Sequence, residues 1–129
     1  MISLNVSDVR PFVPAKDFAV SKAFYEALGW TVKWSDDALA LMENADRYFY
    51  LQRYYVKEWA ENSMLHITVE EARSSYAQIK ALLDSERFPD ARVAPPKQEP
   101  YGALVTYVWD PAGVLLHLAQ WTTNDESTE

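Results

Sequence analysis

Two stretches of this chain carry the same order of a strand, a helix and further strands. Setting Asp17 against Glu71, the starts of two amphipathic segments, brings Tyr25 onto Ile79 and Leu28 onto Leu82. The same alignment brings Arg10 onto Met64 and Phe12 onto His66. Apolar positions agree although few residues are identical. A repeated unit of this size has an apolar face that it cannot bury alone, so the two halves are expected to complete each other. The 129 residues fit a single domain.

Residues Val9–Ala15 read as a strand interrupted by Pro11 and Pro14, which cannot donate a full ladder. Asp17 is placed to cap a helix carrying Val20, Phe24 and Leu28 at helical spacing, and Gly29 is placed to end it. Trp30–Ser35 alternates, with Trp30, Val32 and Trp34 on one face, and Ala38–Met42 makes a short apolar strand. Asn44-Ala45-Asp46 turns into a long aromatic strand, Arg47–Tyr55, with Tyr48, Tyr50, Gln52 and Tyr54 on its even face. Residues 56–63 read as a crossover with room for one helical turn. In the second half, Met64–Val69 reads as a strand and Glu70–Leu83 as a helix with Tyr76, Ile79, Leu82 and Leu83 as its stripe. Arg92–Ala94 reads as a brief strand, and Pro95, Pro96 and Pro100 frame a loop. Tyr101–Trp109 and Val114–Trp121 form a closing hairpin across Asp110-Pro111-Ala112-Gly113. The expected class is α+β: two βαβββ modules forming a cup-shaped mixed sheet with helices on the outside. Module one spans about 5–55, the crossover 56–63 and module two 64–122, with an acidic tail at 123–129.

Composition narrows the function classes. Cysteine is absent, which excludes disulfides and thiolate metal sites and fits a cytoplasmic setting. The net charge of −7 argues against a nucleic-acid partner, which would call for a basic face. No run approaches the length of a membrane span, so no membrane partner is expected. Aromatic residues make up 14% of the chain, including 5 Trp and 8 Tyr, and such residues suit ligand cavities and interfaces. Only 3 glycines are present, with no phosphate-binding loop, and no serine has a nucleophile-elbow context.

Three segments together resemble the vicinal oxygen chelate superfamily of glyoxalases, bleomycin-resistance proteins and extradiol dioxygenases. They are Arg10-Pro11-Phe12-Val13-Pro14-Ala15-Lys16-Asp17 with the following Ser21–Trp30, then Leu65–Glu71, then Trp109–Leu118. The look is nearest the bleomycin-resistance-like branch, whose members are antibiotic-resistance proteins. The resemblance implies a homodimer with clefts at or near the interface. It also implies four metal-ligand positions, which fall at Arg10, Gln52 (or Tyr50, two residues away), Met64 and His117. Arg10 is a permanent cation that repels a divalent metal, and Met64 is a soft thioether. No metal and no cofactor are therefore expected.

The residues singled out for ligand binding are Arg10, Tyr48, Tyr50, Gln52, His66, Tyr107 and His117. His66 and His117 are the only histidines. Each reads either as a hydrogen-bonded cavity histidine or as a ligand contact or general base, and His117 is the better catalytic candidate because it falls on a family position. Arg10 reads either as half of an ion pair with Glu43 or Asp110, or as an anchor for a carboxylate or phosphate near His117. The leading expectation is a metal-free protein that sequesters a small aromatic ligand in an aromatic-lined cup. The alternative is a metal-dependent or His-based lyase, isomerase or dioxygenase of the same superfamily.

Overall fold

Local chemistry sets the first module. The Asp17 carboxylate accepts the Val20 backbone N–H at 3.2 Å and opens helix α1, Phe18–Ala27. Gly29, at a φ of +99°, turns the chain out of it, a backbone conformation that a side chain would strain. In this computed structural model, which describes residues 1–122, α1 is flanked by β1, Phe12–Ala15, and by β2, Thr31–Ser35. Strands β3, Leu39–Asn44, and β4, Arg47–Arg53, follow, joined at Ala45 and Asp46, whose φ values of 47° and 64° suit a tight hairpin turn. A short helix α2, Lys57–Asn62, crosses to module two. There β5, Met64–Thr68, precedes α3, Ala72–Asp84, and then β6, Arg92–Glu99, β7, Ala103–Trp109, and β8, Leu115–Trp121. The acidic tail expected at 123–129 lies outside the described residues.

The two modules share one topology. Sheet one has the order β1-β4-β3-β2 and sheet two the order β5-β8-β7-β6. In each, the first strand pairs in parallel with the last, and the remaining pairs are antiparallel. The class is α+β with two βαβββ modules, although the sheets remain separate within one chain.

Three local expectations need correction. The segment with Pro95 and Pro96 is not a loop but part of the eight-residue β6. That strand lies at the edge of its sheet and its register shifts between Ala94 and Lys97, so the missing proline N–H groups leave no ladder unpaired. Trp34 does not share a face with Trp30 and Val32. A bulge between Val32 and Trp34 re-aims it, and it stands 45% exposed while Trp30 and Val32 pack on the core. Strand β1 is also shorter than Val9–Ala15: it begins at Phe12, preceded by a single backbone bond in which the Pro11 carbonyl accepts the Tyr50 N–H at 2.9 Å.

One core joins the modules. Phe49 and Leu51 of β4, Val13 and Ala15 of β1, and Met42 of β3 cluster with Phe24 and Tyr25 of α1. Ile79, Phe88, Val108, Leu116 and Leu118 of module two belong to the same cluster. Phe24 meets Phe88 edge-on at 5.3 Å. The fully buried Tyr25 hydroxyl donates to Asp110 Oδ2 at 2.6 Å, and Asp110 Oδ1 accepts the backbone N–H groups of Ala112 and Val114. The modules thus meet on their helix-bearing faces; the opposite face of sheet one is open, and that of sheet two carries a small buried cluster, Ala103, Val105 and Ala119, beside Tyr107. Burial pushes the Asp110 carboxyl above its ordinary range, against the pull of the Tyr25 and backbone hydrogen bonds. Ionised Asp110 therefore opposes folding above its folded pKa, and that opposition fades as pH falls through it.

Tyr25→Phe removes the donor and leaves a buried carboxylate short of one partner. The expected loss is about 1–3 kcal/mol of unfolding free energy in urea at pH 7, narrowing as Asp110 protonates at acid pH. A loss under about 0.5 kcal/mol, or one that widens in acid, would contradict this role for the bond.

Candidate functional site

The open face of sheet one follows from the alternation of β4. Phe49 and Leu51 enter the core, so Tyr48, Tyr50 and Gln52 are held on the other side, each half-buried. Phe12, which is paired with Tyr50 across the sheet, stacks on its ring at 5.0 Å and an interplanar angle of 26°. Arg10 lies over the same face, its guanidinium carbon 4.6 Å from the Tyr48 ring centroid and its Nη1 donating to the Tyr50 hydroxyl at 3.1 Å. The expected ion pair with Glu43 or Asp110 is not formed; Arg10 Nε instead meets Asp8 at 2.6 Å. Glu43 accepts the Tyr48 hydroxyl at 2.8 Å and faces Lys33 at 3.5 Å. These contacts, the Tyr48 hydrogen bond foremost, hold the Glu43 carboxyl below its ordinary value.

The open face of sheet two carries the histidines. His66 of β5 pairs in register with His117 of β8, and His117 with Tyr107 of β7. The imidazole rings lie 6.2 Å apart at 26°, and the Tyr107 ring meets His117 at 5.1 Å. Trp121 closes the row, 5.6 Å from His66, with its indole N–H on Thr68 Oγ1 at 3.2 Å. Tyr107 donates its hydroxyl to Glu99, and burial together with that carboxylate raises the phenol pKa. His117 Nε2 is buried and has no hydrogen-bond partner among the described residues. Burial, then the charge of His66, lowers the His117 pKa against the opposing pull of Glu99. The neutral form of the imidazole is thus favoured, with Nε2 buried and unpaired beside the Tyr107 ring.

The strand register also aligns the two faces. Phe12 is the repeat partner of His66, and these residues pair across their sheets with Tyr50 and His117 respectively. Tyr50 is therefore the counterpart of His117 in module one, and Gln52 stands one step further along, opposite Pro14 and Leu39. Arg10 does not stand near His117 as expected. The two residues occupy open faces of separate sheets, which the shared core keeps apart within one chain. Phe12, Asp8, Glu99 and Trp121 were not singled out from the sequence. Extending the β8 alternation past His117 and Ala119 reaches Trp121, whereas reading residues 95–100 as a loop concealed Glu99.

The four positions at which the superfamily's metalloenzymes hold a metal do not fit one here. Arg10 is a cation already engaged by Asp8 and Tyr50, and Met64 is a thioether 60% exposed. Gln52 and His117 add one amide and one imidazole from different sheets. No group of three or more His, Cys, Asp or Glu side chains able to hold a metal occurs among the described residues.

No protein-family model and no curated protein sequence matches the chain. Solved structures do match it. The bleomycin-binding protein of Streptomyces verticillus, solved with copper(II)-bleomycin, superposes with a TM-score of 0.76 at 20% identity, over 92% of this chain and 98% of that one. An antibiotic-binding protein from a Streptomyces species gives 0.74 at 17% identity, over 93% and 100%. The lactoylglutathione lyase of Agrobacterium tumefaciens gives 0.67 at 14% identity, over 89% and 94%. The chain has the vicinal oxygen chelate fold. That fold carries both binding proteins and enzymes, so function has to be argued from the residues on the two faces. Among the described residues, no helix is long and apolar enough to cross a membrane.

The lowered pKa gives a direct check. His117 is expected to titrate below the ordinary imidazole value of about 6.5 when followed by NMR. Because the folded state favours the neutral ring, the stability this contributes is present above the unfolded pKa. It is lost as pH falls through the folded one. A His117 pKa at or above the ordinary value would contradict the buried, unpartnered ring.

Proposed function

We propose that this protein is a metal-free binding protein that sequesters a small aromatic ligand, in a cup closed by two copies of the chain. The observation that carries the reading is the pair of open, aromatic-rich sheet faces. Phe12, Tyr48 and Tyr50 occupy one, and His66, Tyr107, His117 and Trp121 occupy the other. Because the modules meet through their helix-bearing faces, these open faces cannot cover each other within one chain. A two-fold dimer would set sheet one of each copy against sheet two of its partner and enclose two equal sites. An aromatic ligand would stack between tyrosines on one side and the histidine–tryptophan row on the other.

The polar groups select the ligand's end. Arg10 is fixed by Tyr50 and Asp8, and Nη2 has no partner among the described residues, which suits a carboxylate or carbonyl. The His117 ring adds a flat surface beside Tyr107. The action in this reading is binding: stacking, exclusion of water and one charged anchor. The structural likeness to bleomycin-binding and antibiotic-binding proteins supports this reading. The division into modules at about 5–55 and 64–122 belongs to the same proposal, as do the homodimer and the cytoplasmic setting.

Two outcomes are expected. Light scattering should show a dimer at micromolar concentration, with elemental analysis finding under about 0.2 equivalents of divalent metal per chain. Stoichiometric zinc, iron, nickel or manganese would contradict the donor-set argument. In thermal-shift titrations against 2-naphthoate and bleomycin, at least one should raise the melting temperature. Arg10→Met should leave the unliganded melting point unchanged and weaken 2-naphthoate roughly tenfold or more. An unchanged affinity would make Arg10 a structural residue only.

A further inference from the structure

The bulge in β2 puts a tryptophan on the open face of sheet one. Regular alternation would place Trp34 with Trp30 and Val32, which pack on the core. The register instead shifts, so that Val32 pairs with Met42 and Trp34 with Leu41. Met42 belongs to the shared core, whereas Leu41 is only 5% exposed without joining it. Leu41 is therefore covered from the open side. Lys33, the residue within the bulge, reaches that side too, where its Nζ meets Glu43 at 3.5 Å beside Tyr48.

The register also lines up one residue from each strand. Trp34 pairs with Leu41 of β3, Leu41 with Tyr50 of β4, and Tyr50 with Phe12 of β1. Trp34 stands at one end of this row and the stacked Tyr50–Phe12 pair at the other, with Leu41 as the floor between. Two strand spacings separate Trp34 from Tyr50, about 9.5 Å.

Module two shows that the fold does not require this indole. Its row through His117, the counterpart of Tyr50, runs Ala94, Tyr107, His117, His66. Strand β6 has its own register shift, directly after Ala94, so a methyl group holds the end of that row. Two strands of one topology thus break their ladders beside the same place, and one of them carries a tryptophan there. A partly exposed indole turned out at a bulge faces something other than its own core.

We propose that Trp34 is a specificity-determining residue of the cup, extending the stacking surface along the row so that the ligand is an elongated aromatic of several fused rings rather than a single ring. The inference rests on the proposed binding function and adds the length of the ligand to it. Arg10, donating to the Tyr50 hydroxyl at 3.1 Å, holds the polar end on the Tyr50 side. The body then runs from Tyr50 across Leu41 towards β2, and only a body spanning about two strand spacings meets the indole. A single ring anchored at Arg10 stops short of it.

The test titrates three acids of increasing length, benzoate, 2-naphthoate and 2-anthracenecarboxylate, into the full chain and into Trp34→Ala, Trp34→Leu and Trp34→Phe. Calorimetry gives the affinities, with benzoate read by displacement of 2-naphthoate. Trp34→Ala should weaken 2-anthracenecarboxylate roughly tenfold or more and leave benzoate within about twofold. Trp34→Leu keeps an apolar cover over Leu41 without a flat ring, and should lose the preference for length as the alanine variant does. Trp34→Phe should recover most of it. Equal losses for all three acids, as a residue that only packs on a partner subunit would give, would overturn the inference, and so would no loss in any variant. If none of the acids binds the full chain the inference falls, and the cup falls with it only if bleomycin also fails to bind.

Discussion

The buried hydrogen bond from Tyr25 to Asp110 decides which faces of the molecule are used. It ties the helix of module one to the closing hairpin of module two inside a core that both modules share. A carboxylate that deep is tolerated only because three donors reach it, two of them backbone N–H groups of the turn that follows it. Once the modules are locked through their helix-bearing sides, the period-two geometry of the strands fixes the rest. Alternate residues of β4 and β8 stand on the faces turned away from the shared core, where Ala119 is covered by Ala103 and Val105 while Tyr48, Tyr50, His117 and Trp121 remain partly exposed.

The two open faces differ chemically in a way that suits one ligand held between them. Sheet one presents a cation braced on phenol rings, with its charge partly offset by Asp8. Sheet two presents a neutral-leaning imidazole, a second histidine and an indole, with a phenol committed to Glu99. Flat rings on both sides and one strong donor on one side describe a slot for an aromatic body with a polar end. The chain's overall negative charge plays little part at this range, because salt screens exposed charges beyond roughly 8 Å.

Much of this was legible in the sequence. The repeat, the Asp17 cap, the Gly29 exit and the alternation of β4 and β8 are local signals, and each matches the structure. The misses have physical causes. Prolines 95 and 96 read as loop because sequence does not reveal that β6 is an edge strand, where a missing donor is harmless. The bulge that turns Trp34 outward depends on the neighbouring strand's register. Asp8 was missed as the partner of Arg10 because it precedes Val9, where the expected strand began, and only Glu43 and Asp110 were weighed as partners. Above all, the sequence gives no sign of which sheet faces meet. Arg10 and His117 were therefore expected together, whereas a single chain keeps them apart.

Subunit complementation tests the composite site most directly. One variant carries Arg10→Met and Tyr50→Ala, which disable sheet one; the other carries His66→Ala and His117→Ala, which disable sheet two. Calorimetry with 2-naphthoate should find no binding to either variant alone. After mixing and exchange, about a quarter of the wild-type site number should return, because each mixed dimer rebuilds one intact cup from two undamaged faces. Binding by either variant alone, or no recovery in a mixture shown to exchange, would contradict a site built from two copies.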